Sequence, residues 1–346
     1  MRAWLGNAAL VGFFLATLAL FGLLAPNFAT ASNFEDLMSG FSFVAILAMG
    51  QAFPILLKGI DLSIGATLAL AGMIAFDLSL IAHWPGYFIL PVVLAAATLA
   101  GIVNGLLIVY LRLQPFIATL ASLAAYRGLV YLISGRQLVP SLSTTPISDS
   151  WILGLDTDFD VGSALGISAF VKLPWVPLSF FVMLLLLAAL WALLDRTKFG
   201  RDVYAVGGNA EAARLAGIPV GRRVIACYGV CGFCAGVAAL TLIARLTTAT
   251  EALGVGTELT AIAAAVIGGV SLSGGVGGVF GPAIGAFLLG AVLLGLTLLG
   301  ISQYVQQILT GAILLIAVGS DRALAVRRRN RLAANLAPPA PAGGHG

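Results

Sequence analysis

The feature of this sequence that most constrains its fold is a series of ten apolar runs, most of them long enough to cross a bilayer as a helix. Lipid offers no hydrogen bonds to the backbone, so runs of this kind form helices rather than open sheets. The composition agrees, because only 9% of the residues are charged, against about a quarter in soluble domains. The runs cover residues 5–24, 41–57, 62–82, 88–111 and 115–134, and then 174–194, 223–244, 258–270, 279–298 and 302–320. The sequence therefore predicts an all-α integral membrane protein with about ten transmembrane helices and one membrane domain over residues 1–326.

The distribution of charge predicts the orientation of these spans. With ten spans both termini lie on one side of the membrane, and the connections on that side are basic. The basic residues are Arg2, Lys58, Arg112, Arg196, Lys198, Arg201, Arg214, Arg222, Arg223, Arg322, Arg327, Arg328, Arg329 and Arg331. The opposite side receives Glu35, Asp36, Asp149, Asp156, Asp158, Asp160 and Glu251. By the positive-inside rule, we expect cytoplasmic termini, an outer loop at 135–173, and a basic, then Pro/Ala/Gly-rich, disordered cytoplasmic tail at 327–346.

A polar, glycine-punctuated segment at 195–222 separates the sixth and seventh runs. Asn209 is a suitable N-cap for a short helix over 210–216, Glu211 lies in its first turn, and Arg214 lies in its last. Gly217 is placed for a left-handed stop. A helix this short is marginal in isolation, so it must dock against something. We interpret the segment as a docking site for a cytoplasmic partner, with Gly208, Asn209, Glu211, Arg214, Leu215 and Gly217 as the candidate residues.

Two of the runs, 41–57 and 258–270, are too short to span the membrane comfortably, and each stops at a glycine-rich polar sequence. The two interruptions are similar: GIDLS at 59–63 aligns with GVSLS at 269–273. Paired breaks in two halves of a membrane protein mark a translocation path, since non-helical backbone must be buried in protein or line a cavity. Ordinary turns at the cytoplasmic surface are an equally good interpretation.

Several polar residues fall at membrane depth, where ionisable groups are costly. Arg127 lies about twelve residues into its run, with Asp77 as a candidate counter-charge. The favoured interpretation of Arg127 is a structural ion pair, although a functional role is the alternative. Asp61, Ser63 and Asn104 offer groups that suit a polyhydroxylated solute, whereas helix capping and interhelical hydrogen bonds would explain each residue singly.

Motifs for chemistry are missing from the sequence. It contains no GxxxxGK[ST] phosphate loop, no HExxH and no GxSxG, so we expect a non-enzymatic chain that binds neither metal nor cofactor. The three cysteines, Cys227, Cys231 and Cys234, share one helical face and are expected to serve helix packing.

Several motifs, in order, resemble the ribose-type sugar permeases of bacterial ATP-binding-cassette importers, a superfamily shared with branched-chain amino acid permeases. The matching stretches are GIDLSIG at 59–65, NGLL at 104–107, QPFIATL at 114–120, TKFG at 197–200 through GI at 217–218, ELTAIAA at 258–264 and SLSGG at 271–275. The resemblance covers about residues 40–320. One departure is Thr260, which stands where the family usually has Asp.

The resemblance implies a permease subunit in the bacterial inner membrane that imports a monosaccharide. It also implies a second permease subunit, a periplasmic solute-binding protein, and a cytoplasmic ATPase subunit that uses ATP and Mg²⁺. Within the matched motifs, the candidates for the translocation path are Asp61, Ser63, Asn104, Phe116, Thr119, Ser271 and Ser273.

Two alternatives to sugar import remain at this stage. The first is import of another solute of the same superfamily, such as a nucleoside, an autoinducer or a branched-chain amino acid. The second is a stand-alone secondary transporter, which would need ion-coupling carboxylates within its spans and would leave the segment 195–222 without a role.

Overall fold

The computed structural model describes residues 2–80, 82, 84–135, 157–159, 175–248 and 250–336. The helices are α1 (Arg2–Leu24), α2 (Ala31–Leu56), α3 (Ile64–Leu80), α4 (Gly86–Tyr110), α5 (Pro115–Ser134), α6 (Leu178–Trp191), α7 (Lys198–Gly208), α8 (Ala210–Leu215), α9 (Val220–Leu246), α10 (Thr257–Ile267), α11 (Phe280–Leu298) and α12 (Gln303–Leu336). A π-helical turn, Ala192–Arg196, extends α6, and two short strands, β1 (Asp158–Phe159) and β2 (Val176–Pro177), pair antiparallel.

Each of the ten predicted runs coincides with a helix. In the described part of the chain, seven helices are long and apolar enough to cross a membrane: α2, α4, α5, α6 with its π turn, α9, α11 and the first half of α12. Three further apolar helical stretches are shorter, namely Ala8–Leu24, Ile64–Ser79 and Thr257–Ile267. The all-α membrane class is therefore confirmed, and α10 is as short as the sequence predicted.

The prediction that the second run is short is wrong. Helix α2 has 26 residues because it begins at Ala31, ten residues before the apolar run. The Thr30 side chain accepts a hydrogen bond from Asn33 N at 3.3 Å, and this cap lets the polar stretch up to Asp36 continue as helix. The chain still breaks after Leu56, where the sequence placed the interruption.

Helices α2 and α9 form the centre of the bundle. Helix α9 packs against α4, α2 and α3, while α2 also packs against α10, α11 and α6. Glycines permit the closest approaches: a Cβ on Gly50 would come 2.6 Å from Cys234 Cβ, and one on Gly101 would collide with the Tyr228 backbone. All three cysteines are buried and free in this core, as expected for a packing role.

The C-terminal tail differs from the prediction in part, and the predicted outer loop lies mostly outside the described residues. Helix α12 continues to Leu336, so the prediction of disorder after the basic cluster is wrong for residues 330–336. Ala, Leu and Arg are good helix formers, and the prolines at 338 and 339 come only later. Residues 337–346 and most of the loop 135–173 lie outside the described residues; the described part of that loop includes strand β1.

Helix α7 was missed from the sequence. Its N-cap is Thr197, whose side chain accepts from Gly200 N at 3.4 Å. Phe199, Val203 and Val206 recur at helical spacing and face the protein, and this periodicity is the signal that could have predicted the helix. The segment 195–222 is thus two helices, α7 and α8, joined at Asn209.

Candidate functional site

Helix α8 has the local structure that the sequence predicted. Asn209 Oδ1 accepts hydrogen bonds from Glu211 N at 3.1 Å and Ala212 N at 3.0 Å. The helix stops at Gly217, which has φ +80°, and Arg214 pairs with Glu211 at 2.7 Å. That hydrogen bond raises the pKa of Arg214, so the guanidinium stays charged. Leu215 is 81% exposed, which places a large apolar side chain on the surface of α8.

Helix α7 is fixed to the membrane bundle by a largely buried ion pair. Arg223, at the start of α9, donates to Asp202 Oδ2 at 2.9 Å and 2.6 Å through its Nε and Nη2. The guanidinium also lies 5.7 Å from the ring centroid of Phe199, a cation–π distance. Charge-assisted hydrogen bonds of this length are strong, so α7 and the start of α9 behave as one unit.

The C-terminal end of α7 touches both broken regions of the membrane domain. Leu56 O, at the end of α2, accepts from Gly275 N at 2.9 Å, which joins the two breaks directly. Gly207 lies against this junction, because a Cβ on it would collide with Leu56 O and come 2.7 Å from Gly275 N. Lys58 Nζ donates to Gly208 O at 3.4 Å. These three backbone segments therefore meet at one point, which we call the junction: Leu56–Lys58, Gly207–Gly208 and Gly274–Gly275.

Tyr204 adds a further link between α7 and the second break. Its hydroxyl donates to Gly277 O at 2.8 Å. Burial raises the pKa of Tyr204 to about 12, with a smaller contribution from Asp195. The phenol therefore keeps its proton, and remains a donor, at physiological pH.

The two breaks share a local structure, as the aligned sequences predicted. Each begins with a residue at positive φ, Lys58 (+64°) and Gly269 (+86°), and the next residue donates back to a carbonyl five positions earlier. These are Schellman-type helix ends. Each then forms a side-chain turn: Asp61 Oδ1 accepts from Ser63 N at 2.9 Å, and Ser271 Oγ accepts from Ser273 N at 3.3 Å.

The equivalence of the two breaks is offset by one residue at their start. The aligned glycines were Gly59 and Gly269, but Lys58 occupies the position of Gly269 in the first break. The first break thus has one residue more between its helix end and its side-chain turn.

Asp61, Ser63 and Asn104 form one buried polar cluster. Ser63 Oγ donates to Asp61 Oδ1 at 2.6 Å and accepts from Asn104 Nδ2 at 2.8 Å. The same amide nitrogen lies 3.3 Å from both Asp61 oxygens. Thr119 Oγ1 donates to Ile60 O at 3.2 Å, which adds α5 to the group. These contacts are those of helix capping and interhelical hydrogen bonding, which the sequence offered as the alternative to contact with a solute.

The remaining path candidates are placed differently. Phe116 is 56% exposed on the outer surface of α5, Ser271 is buried, and Ser273 is exposed at the second break.

Arg127 is not paired with Asp77, and that expectation is wrong. Its Nη1 donates to Glu251 O at 2.9 Å and to Leu253 O at 2.7 Å. Glu258 is the carboxylate that interacts with it electrostatically. Arg127 therefore holds the non-helical segment before α10, whose carbonyls have no helical partner. Sequence reasoning could not foresee this, because the acceptors are backbone atoms.

The fold and the site together define a multi-pass α-helical membrane protein in which a pair of short helices, α7 and α8, joins two broken membrane helices. The family model "Branched-chain amino acid transport system / permease component" matches residues 33–318. The chain belongs to this permease family.

Curated relatives agree with the resemblance read from the motifs. The chain is 36% identical to the ribose import permease protein RbsC of Haemophilus influenzae over 312 residues, which cover 90% of this chain and 91% of that protein. It is 35% identical to the xylose transport system permease protein XylH of Escherichia coli, with 86% of each covered. It is also 35% identical to the D-allose transport system permease protein AlsC of Escherichia coli, with 90% of each covered. No solved structure matches. The predicted resemblance to sugar permeases of ATP-binding-cassette importers is confirmed.

Proposed function

We propose that this chain is the membrane subunit of an ATP-driven importer that moves a monosaccharide from the periplasm to the cytoplasm. The observation that carries the proposal is the path from an exposed helix, α8, through α7 to the junction of both breaks. The relatives named for ribose, xylose and allose support a monosaccharide as the solute. ATP and Mg²⁺ would be bound by the partner ATPase, and the chain itself would not be an enzyme.

Helix α8 is the proposed docking site for the ATPase. Its exposed Leu215 offers an apolar contact at the C-terminal end of the helix, and the charged Glu211 and Arg214 lie in the turn before it. Exposed ion pairs contribute little to stability, so these charges are free to serve recognition. Gly208 and Asn209 connect α8 to α7, and Gly217 ends it. Closure of the ATPase would then move α7 and, through Gly207, the junction.

The proposed orientation has ten spans, with both termini and α7–α8 in the cytoplasm of a bacterium and the chain in its inner membrane. The charge asymmetry of the connections supports it. A second copy or a homologous subunit would complete the pathway, and a periplasmic binding protein would deliver the solute. The exposed apolar side chains along α5 and α12 leave ample surface for the second subunit and for lipid.

For the Asp61 cluster we propose a structural part in transport. The cluster would fix the bend between α2 and α3. Solute would pass along this bend without contacting the Asp61 carboxylate. Its mutual hydrogen bonds and burial support this assignment. The exposed Phe116 and Ser273 remain the candidates for direct contact with solute or with the second subunit.

The test is reconstitution of the chain with its candidate ATPase in proteoliposomes, with and without the candidate binding protein. We expect uptake of labelled ribose, xylose or allose to need ATP and both partners. ATPase-independent uptake driven by an ion gradient would place the chain among secondary transporters and refute the proposal. Uptake of a nucleoside or a branched-chain amino acid, and of none of the three sugars, would support an ATP-driven importer but refute a monosaccharide as its solute.

A further inference from the structure

A crevice of about 430 Å³ lies away from the junction, between α2, α9, α11 and α12. Four polar side chains line it: Asp36, Arg245, Thr297 and Gln306. Apolar residues make up most of the rest, namely Leu37, Phe41, Leu293 and Leu294. A cavity of this size with a few convergent polar groups has the character of a ligand site.

The polar and apolar linings are segregated along the helix axes. Asp36 is near the start of α2 and Phe41 lies five residues further in, about 7.5 Å along the axis. Thr297 is near the end of α11, and Leu293 lies about 6 Å deeper. Arg245 and Gln306 are likewise at helix ends. One end of the crevice is therefore charged and the other end is apolar, and the polarity changes along the axes of the membrane helices.

Asp36 and Arg245, the two charged residues at the polar end, form only a loose ion pair with each other. Arg245 Nη2 lies 3.5 Å from Asp36 Oδ1, and the side chains are 32% and 58% exposed. The Arg223–Asp202 pair, in contrast, closes to 2.6 Å and is largely buried. A charge-assisted contact normally shortens to about 2.7–2.9 Å, so the longer pair leaves capacity for a ligand on both sides. Gly40 leaves room for the guanidinium, since a Cβ there would collide with it.

We propose that this crevice binds a phospholipid with a zwitterionic phosphoethanolamine headgroup. The phosphate would accept hydrogen bonds from Arg245, and the ammonium would approach Asp36. The start of an acyl chain would lie against Leu293 and Leu294, beside Thr297 and Gln306, which are hydrogen-bonded to each other at 3.1 Å. A sugar would need polar groups around its whole surface, which the apolar end does not supply. The opposed charges at one end and the apolar wall below them favour an amphiphile.

The test uses the full chain purified in detergent, incubated with phosphatidylethanolamine or phosphatidylglycerol of identical acyl chains, and native mass spectrometry to count retained lipids. We expect one phosphatidylethanolamine per chain, held more tightly than phosphatidylglycerol. Arg245→Gln should weaken retention of both lipids roughly tenfold or more, because both carry the phosphate. Asp36→Asn should remove only the preference for phosphatidylethanolamine, because phosphatidylglycerol has no ammonium.

A second variant fills the crevice without changing charge. Leu293→Trp should abolish retention of both lipids. The matched control is Leu185→Trp, at a position of α6 where the side chain is 73% exposed, and it should retain both lipids as the wild type does. Equal retention by the wild type, Arg245→Gln and Leu293→Trp would overturn the proposal. It would also be overturned if Arg245→Gln left lipid retention unchanged and weakened binding of either the solute-binding protein or a sugar, since the crevice would then serve that ligand.

Discussion

Replacing Gly207 with Ala should separate α7 from both breaks and uncouple ATP hydrolysis from transport. The new Cβ would lie 2.7 Å from Gly275 N and 3.0 Å from Gly275 Cα, and closer still to Leu56 O. Ordinary contact begins near 3.4 Å, so the backbones must part by at least 0.7 Å (3.4 − 2.7). All three neighbours are backbone atoms, which cannot rotate away, and overpacking of this kind costs about 1–3 kcal/mol. A cost of this size lowers the equilibrium constant for docking of α7 on the junction roughly 5- to 150-fold.

Helix propensity alone predicts that Gly207→Ala raises stability, so the sign of the change in stability distinguishes the two effects. Ala is about 1 kcal/mol better than Gly within a helix, so without the junction Gly207→Ala would stabilise α7. The assay is solute transported per ATP hydrolysed in proteoliposomes, together with the melting temperature of the purified chain. Gly278→Ala is the matched control, because a Cβ at that position of the second break meets no atom within 4 Å. Coupling and melting at wild-type values in Gly207→Ala would refute the proposed path.

Three further changes test other parts of the site. Gly217→Val should weaken the end of α8 by about 1–2 kcal/mol, since φ is +80°, and should lower ATPase binding in a pull-down while membrane insertion stays intact. Exchange of the Glu211 and Arg214 charges should leave the melting temperature unchanged and reduce the ATPase affinity; an unchanged affinity would remove α8 from the interface. Asp61→Ala should lower stability by about 2–5 kcal/mol, measured by thermal melting, because it leaves buried donors of Ser63 and Asn104 unpaired; loss of transport at unchanged stability would instead favour direct solute contact.

The sequence predicted the parts of the site that local chemistry determines. Asn209, Glu211 and Gly217 define α8 because capping and a left-handed stop depend only on neighbouring residues. The breaks were found for the same reason, since glycine and side-chain turns interrupt an apolar run locally. The one-residue offset was missed because Lys58 adopts a positive φ that its residue type does not favour.

The long-range contacts could not be predicted from one sequence. Leu56 O and Gly275 N are separated by more than two hundred residues, and both are backbone atoms that leave no trace in residue type. The same holds for Arg127, whose acceptors are the carbonyls of Glu251 and Leu253. A carboxylate such as Asp77 was the natural guess, because charge is visible in a sequence and an unpaired carbonyl is not.

The bond between Leu56 and Gly275 also limits which parts of the bundle can move. Leu56 O is an orphan acceptor at the end of α2, and breaking its bond away from water would cost several kcal/mol. The junction therefore moves as a unit with α7. Flexibility must lie elsewhere, and α10 has the right construction, because positive-φ glycines, Gly256 and Gly269, stand at its two ends. Since α12 packs mainly on α10, we expect displacement of the junction to tilt α10 and α12 together, against a central α2 and α9 that hold their packing.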